Sequence, residues 1–153
     1  MGYTLIVDDS ATERSIITGC LKNVGIETSV ALSGEEALEK IQQNSPDLIV
    51  LDVVLPGRSG FEICRELKGS EDTNEIPIIL CSTKGTEMDK FWGMKQGADA
   101  YIPKPIDQEE LVRKVKELRR CWIVMLHILV ITNYYLLLVV IIKLFVLHCR
   151  TYL

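Results

Sequence analysis

The sequence predicts an α/β fold: a five-stranded parallel sheet, doubly wound in (βα)5 order, followed by an apolar C-terminal segment read as helical. Three observations lead there. Short apolar runs alternate with longer amphipathic stretches through residues 1–120. Successive runs are too far apart to turn back as hairpins, so the strands run parallel and helices cross over between them. Two of the runs, DLIVL (47–51) and IPIILC (76–81), are apolar on both faces, as central strands covered on each side are.

The elements follow in order. TLIV (4–7) is the first strand. Ser10 to Asn23 carries Ile16, Ile17, Cys20 and Leu21, continued by Val24, at helical spacing. TSVA (28–31) is the second strand. Ser33 then opens a helix as N-cap, with Glu36 three residues on as a capping box and Ala37, Leu38 and Ile41 as its apolar stripe. After DLIVL, Pro56-Gly57 makes a tight turn and Gly60 eases the entry to a helix over 59–68. IPIILC, a helix over 86–96, the strand ADAYI (98–102) and a helix over 107–120 complete the set. Asp107 and Glu110 form a second cap-like pair at the start of that last helix.

The totals agree with one domain and a little more. In 153 residues, 48% are apolar and 25% charged, which excludes a disordered chain. All 21 acidic residues and 15 of the 17 basic ones lie within 1–120. An acidic body offers no electrostatic footprint for nucleic acid. The five cysteines are widely spaced, without a zinc-like pair, and read as thiols in a reducing compartment. The start, MGYTLIVDDS, meets acids before any signal-length apolar stretch, so no signal peptide is expected.

Function in such sheets gathers at the carboxyl ends of the strands. Here those ends carry Asp8 and Asp9 (first strand), Asp52 (third), Ser82 (fourth) and Lys104 (fifth). Singly, each has an ordinary role as a turn, cap or surface residue. Together they converge on one edge. Three carboxylates in one place raise one another's pKa, and a hard divalent cation such as magnesium relieves that conflict. Lys104 adds a second positive group.

The stretches LIVDDS (5–10), LIVLDVVLPGRSGFE (48–62), PIILCST (77–83) and GADAYIPKPI (97–106) resemble a two-component response-regulator receiver domain. The likeness spans residues 3–120 and is nearest the single-domain receivers of bacterial chemotaxis and pilus motility. It implies the flavodoxin-like receiver fold. Asp52 would be the phosphoacceptor, taking a phosphoryl group from a sensor histidine kinase or phosphotransfer protein. Asp8, Asp9, Asp52 and the backbone carbonyl of Val54 would hold Mg2+, Asp8 mostly through water. Lys104 and the metal would offset phosphoryl charge. Ser82 would be the switch hydroxyl, and Tyr101 the switch aromatic that turns into the space Ser82 vacates. Lys104-Pro105 resembles the family's cis bond, which aims the amine into the site.

The signal would then pass to a downstream protein through the fourth helix, fifth strand and fifth helix (α4-β5-α5). Such a protein is not an enzyme beyond its own phosphorylation and dephosphorylation, and it is cytoplasmic. Two alternatives stand beside this reading. One is a docking-only pseudo-receiver, against which the intact residue set speaks. The other is an aspartate-nucleophile phosphatase, which needs a second acid where Val54 stands.

Residues 121–153 depart from the resemblance. They are apolar all round, and 122–142 contains no Lys, Arg, Asp or Glu, long enough to cross a bilayer as a helix. The candidates are a C-terminal membrane anchor with the receiver on the cytoplasmic side, a helix that binds a partner, or translated sequence appended to a receiver that is complete by about Arg120.

Overall fold

The computed structural model describes residues 2–119. The candidate span 122–142, with the rest of the tail, lies outside the described residues. Among the described residues, no helix is long and apolar enough to cross a membrane.

The elements are β1 (Thr4–Val7), α1 (Ala11–Asn23), β2 (Thr28–Ala31), α2 (Gly34–Gln43), β3 (Leu48–Asp52), α3 (Gly60–Gly69), β4 (Ile78–Ser82), α4 (Glu87–Lys95) and β5 (Ala100–Pro103). A fifth helix, α5, covers 108–119. The five strands pair in parallel in the order β2-β1-β3-β4-β5. The (βα)5 expectation therefore holds, with four helices crossing over between strands and a fifth following β5.

Alternation along the strands divides the core. Leu5, Val7, Leu51 and Leu80 face one side and meet Ala37 and Ile41 of α2 and Ile63, Cys64 and Leu67 of α3. Ile6, Val50, Ile79 and Ile102 face the other and meet Ile17 and Leu21 of α1 and Leu111 and Val115 of α5. Residues of β1, β3 and β4 are buried throughout, which is why these runs read as apolar on both faces. Within α1, Ile17, Cys20 and Leu21 are buried, whereas Ile16 and Val24 stay about two-fifths exposed.

Two local expectations change. The later strands run further than their apolar letters. Asp52 and Ser82 are the last residues of β3 and β4, where they had been placed just after them. Ladder bonds explain this: Val53 N–H donates to the Cys81 carbonyl at 2.9 Å and Lys104 N–H to the Ser82 carbonyl at 2.7 Å. Pairing is indifferent to side-chain polarity, so it continues through the acid and the serine. The capping box expected at Ser33 is only half formed. Ser33 Oγ accepts from Glu36 N–H, but the Glu36 carboxylate turns to the Leu32 N–H at 2.8 Å. Full reciprocal boxes occur instead at Ser59/Glu62 and Thr86/Asp89, which start α3 and α4.

The outer edge of β2 is also managed. Thr4 N–H bonds the Glu27 carbonyl and Asp8 N–H the Ala31 carbonyl, so alternate carbonyls of this strand point at β1. The Val30 carbonyl faces away and accepts the ammonium of Lys40, which α2 holds over the edge beside Glu36.

The backbone of the β3–α3 connection is packed with no room to spare. A Cβ on Gly60 would fall 2.0 Å from the Asp52 carbonyl oxygen and 2.9 Å from Val53 Cα. Backbone atoms cannot step aside as a flexible side chain can. By contrast, nothing lies within 4 Å of a Cβ on Gly19 of α1. Opposite signs are therefore expected in urea denaturation. Gly60→Ala should cost about 2–3 kcal/mol. Gly19→Ala should gain about 0.5–1 kcal/mol.

Candidate functional site

Strand order decides which residues meet. With β3 between β1 and β4, and β5 beyond β4, the carboxyl ends of β1, β3, β4 and β5 lie side by side. Asp8 follows β1 and is 1% exposed, Asp52 ends β3 at 6%, and Ser82 ends β4 fully buried. Asp9 lies beside Asp8 but is exposed. Ligand oxygens of Asp8, Asp9 and Asp52 all lie within 4.8 Å of one another.

Lys104 reaches this cluster from the far side of β4. Its Nζ is 2.7 Å from Asp8 Oδ2 and 3.1 Å from Asp52 Oδ2. The Lys104-Pro105 peptide is cis. Asp8 is bound on every side: Oδ1 accepts from Ser10 N–H at 2.8 Å, and its main-chain carbonyl accepts from Arg14 NH1 at 2.7 Å. Asp52 Oδ1 has only a long bond from Val54 N–H, 3.3 Å. Of the two buried carboxylates, Asp52 thus carries the less encumbered oxygen.

Burial dominates the electrostatics. Desolvation raises the Asp52 carboxyl above the usual carboxylate range, although the Lys104 hydrogen bond and charge pull the other way. For Lys104, burial favours the neutral amine, but hydrogen bonds to Asp8 and Asp52 outweigh it and leave the pKa raised. Cys81, the register partner of Asp52, has its thiol pushed up to about 12 by complete burial. That thiol is inert.

The donor set fits a hard dication. Three carboxylates from two strand ends and their connection offer oxygen ligands, with no soft sulfur facing them. Lys104 now occupies part of the same space, as the positive charge that keeps Asp8 and Asp52 together.

The switch residues form a second chain of contacts. Lys84 N–H donates to Ser82 Oγ at 3.1 Å. The Lys84 carbonyl accepts from the hydroxyl of Tyr101. Tyr101 is 9% exposed and belongs to the core. It already points inward, where the sequence reading had it turn inward only on activation; the Lys84 carbonyl supplies the partner its hydroxyl needs when buried. Val54 is exposed at the rim, at 59%. The sequence reading passed over Arg14, whose only signal is a basic residue on the first turns of α1. It also passed over Gly93, whose ring neighbour is eight residues away.

Comparison with known proteins agrees with this geometry. The model of the response regulator receiver domain matches residues 4–116. PilH of Pseudomonas aeruginosa is 39% identical over 115 residues, covering 75% of this chain and 95% of PilH. The phosphate regulon transcriptional regulatory protein PhoB of the same organism is 45% identical over 116 residues, 76% of this chain but only 51% of PhoB. Among solved structures, a putative response regulator from Chloroflexus aurantiacus superposes with a TM-score of 0.74 at 35% identity, covering 78% of this chain and 99% of that one. The chemotaxis response regulator CheY4 of Vibrio cholerae gives 0.72 at 30%, covering 77% and 98%.

A stability prediction follows from the burial of Asp52. A carboxyl whose folded-state pKa is raised favours folding only while protonated; that contribution is lost as pH rises through the raised value. Above it, the ionised group costs stability. Asp52→Asn should therefore raise the unfolding free energy read from urea denaturation at pH 7, by about 1 kcal/mol. The gain should shrink as pH falls towards 4 and vanish below the pKa of an unfolded aspartate.

Proposed function

The chain belongs to the response regulator receiver domain family, the receiving module of two-component phosphorelay signalling, and from that premise we propose that Asp52 is its magnesium-dependent phosphoacceptor. The observation that carries this is the convergence of Asp8, Asp9, Asp52, Ser82 and Lys104 on one sheet edge, with Asp52 carrying the less committed oxygen of the two buried carboxylates.

In the proposed step, a carboxylate oxygen of Asp52 attacks the phosphorus of a phosphohistidine on a sensor kinase or phosphotransfer protein. The O–P bond forms, the P–N bond breaks, and the leaving imidazole nitrogen takes a proton. Magnesium held by Asp8, Asp9, Asp52 and the Val54 carbonyl would supply charge to balance the phosphoryl oxygens. Lys104, already between Asp8 and Asp52, gives up its bond to Asp52 and pairs with a phosphoryl oxygen. Ser82 Oγ leaves the Lys84 N–H to donate to another, drawing the β4–α4 connection inward. The protein turns over no other substrate, so it is a switch and not an enzyme.

The output is protein–protein contact through α4, β5 and α5, within a receiver taken as residues 1–120. Four large apolar side chains on or beside α4 support it: Met88, Phe91, Trp92 and Met94 are all exposed. Among the described residues, the free thiols of Cys20, Cys64 and Cys81 suit a cytoplasmic location. The relatives name no shared target, so the target stays at the level of a downstream protein.

The test is the intact mass of the full chain after incubation with acetyl phosphate, with and without magnesium. One phosphoryl group should add only with magnesium, and none to Asp52→Asn; addition that survives the substitution would move the acceptor elsewhere. The phosphoryl group should last minutes or longer, because the Val54 side chain has no polar atom to orient an attacking water. Val54→Asn should shorten that lifetime about tenfold, short of the ~10²–10⁴-fold gain from a fully positioned general acid or base.

A further inference from the structure

Gly93 lies on α4, directly over the ring of Tyr101. A Cβ at this position would stand 2.7 Å from Tyr101 Cδ2, 3.1 Å from Cε2 and 3.3 Å from Leu80 Cδ1. The first distance is well inside van der Waals contact, and a buried ring wedged between helix and strand has little freedom to yield. Gly93 is itself buried, the only buried residue of α4. A glycine in mid-helix is a cost to the helix, about 1 kcal/mol against alanine. Here that cost coincides with space that one side chain uses.

We infer that Gly93 is a positioning residue for the switch: by lacking a Cβ it leaves the space that lets Tyr101 sit inward before any phosphoryl group arrives. The inward ring is held at two points, its edge under Gly93 and its hydroxyl on the Lys84 carbonyl. Lys84 is also the residue whose N–H engages Ser82 Oγ. One residue's main chain therefore joins the hydroxyl that would meet the phosphate to the aromatic that would report it. With Tyr101 already inward, phosphorylation stabilises an arrangement the chain favours at rest, and the resting protein signals at a raised basal level. This extends the switch reading of the proposed function and rests on it; the inward seat of Tyr101 does not.

The linkage makes a quantitative demand. If the inward ring and a phosphoryl group favour the same state, disfavouring the ring must weaken binding of a phosphoryl mimic by the factor by which the inward population falls.

The experiment uses the full chain labelled with 3-fluorotyrosine. The Tyr101 fluorine resonance is assigned by its loss in Tyr101→Phe, and its accessibility is read from broadening by a soluble paramagnet. In the unsubstituted chain, the Tyr101 line should be protected as well as a core residue. In Gly93→Ala it should broaden several-fold more, while the Tyr3 line is unchanged. The half-saturating concentration of beryllofluoride with magnesium should rise about three- to tenfold in Gly93→Ala. It should not rise when the same substitution is made in a Tyr101→Ala background. A Tyr101 line that stays protected in Gly93→Ala would overturn the inference. So would an equal rise in both backgrounds.

If Gly93→Ala does not fold alone, the Gly93→Ala/Tyr101→Ala pair decides. Recovered folding supports the ring as the obstacle, and failure to recover refutes it. Absence of phosphorylation in the unsubstituted chain would remove the proposed function, yet leave the fluorine result to stand or fall separately.

Discussion

The ammonium of Lys104 is the charge around which the site is organised. Two carboxylates, Asp8 and Asp52, are buried at adjacent strand ends, where their like charges repel. One cation between them makes the arrangement tolerable. That cation comes from the strand beyond β4, so it arrives only if β5 pairs in register, and the Lys104 N–H bond to the Ser82 carbonyl fixes that register. Sheet pairing and site electrostatics are in this sense one constraint. The buried Asp52 is kept at a cost that a plain structural core would avoid, and such costs are characteristic of functional positions.

Much of this was legible in the residues. Apolar runs on both faces announced buried parallel strands, and the parallel arrangement alone brought Asp8, Asp9, Asp52, Ser82 and Lys104 to one edge. Strand ends were less legible. The Asp52 and Ser82 backbones pair like any other, so hydrogen bonding carried β3 and β4 past the letters that had seemed to end them. Caps were half legible for a similar reason. Ser33, Ser59 and Thr86 all have an acid three residues on, but only tertiary surroundings decide which acid folds back on its own cap; at Glu36 the carboxylate chose Leu32 N–H and Lys40 instead.

What sequence could not show is contact between residues with no shared period. Gly93 looks like a weak point of a short helix until the Tyr101 ring is found beneath it. Arg14 looks like a solvated cation until its guanidinium is found on the Asp8 carbonyl. Lys84 reads as a surface lysine, yet its main-chain N–H and carbonyl, not its side chain, join Ser82 to Tyr101. Each role is carried by a missing atom or a main-chain atom, and neither varies visibly along a sequence.

The lysine over the outer rim of β2 bears on how the molecule behaves in company. An open parallel sheet leaves a row of unsatisfied donors and acceptors along its first and last strands, and another chain can add to that row. On one side, Lys40 places a hydrated charge over the Val30 carbonyl, so an incoming strand would have to strip water from an ammonium before it could pair. On the other, β5 finishes in Pro103, which has no N–H to offer. Crowded copies of this receiver are thereby steered away from edge-to-edge growth, and encounters between them are left to helix faces, which separate again more readily than strands do.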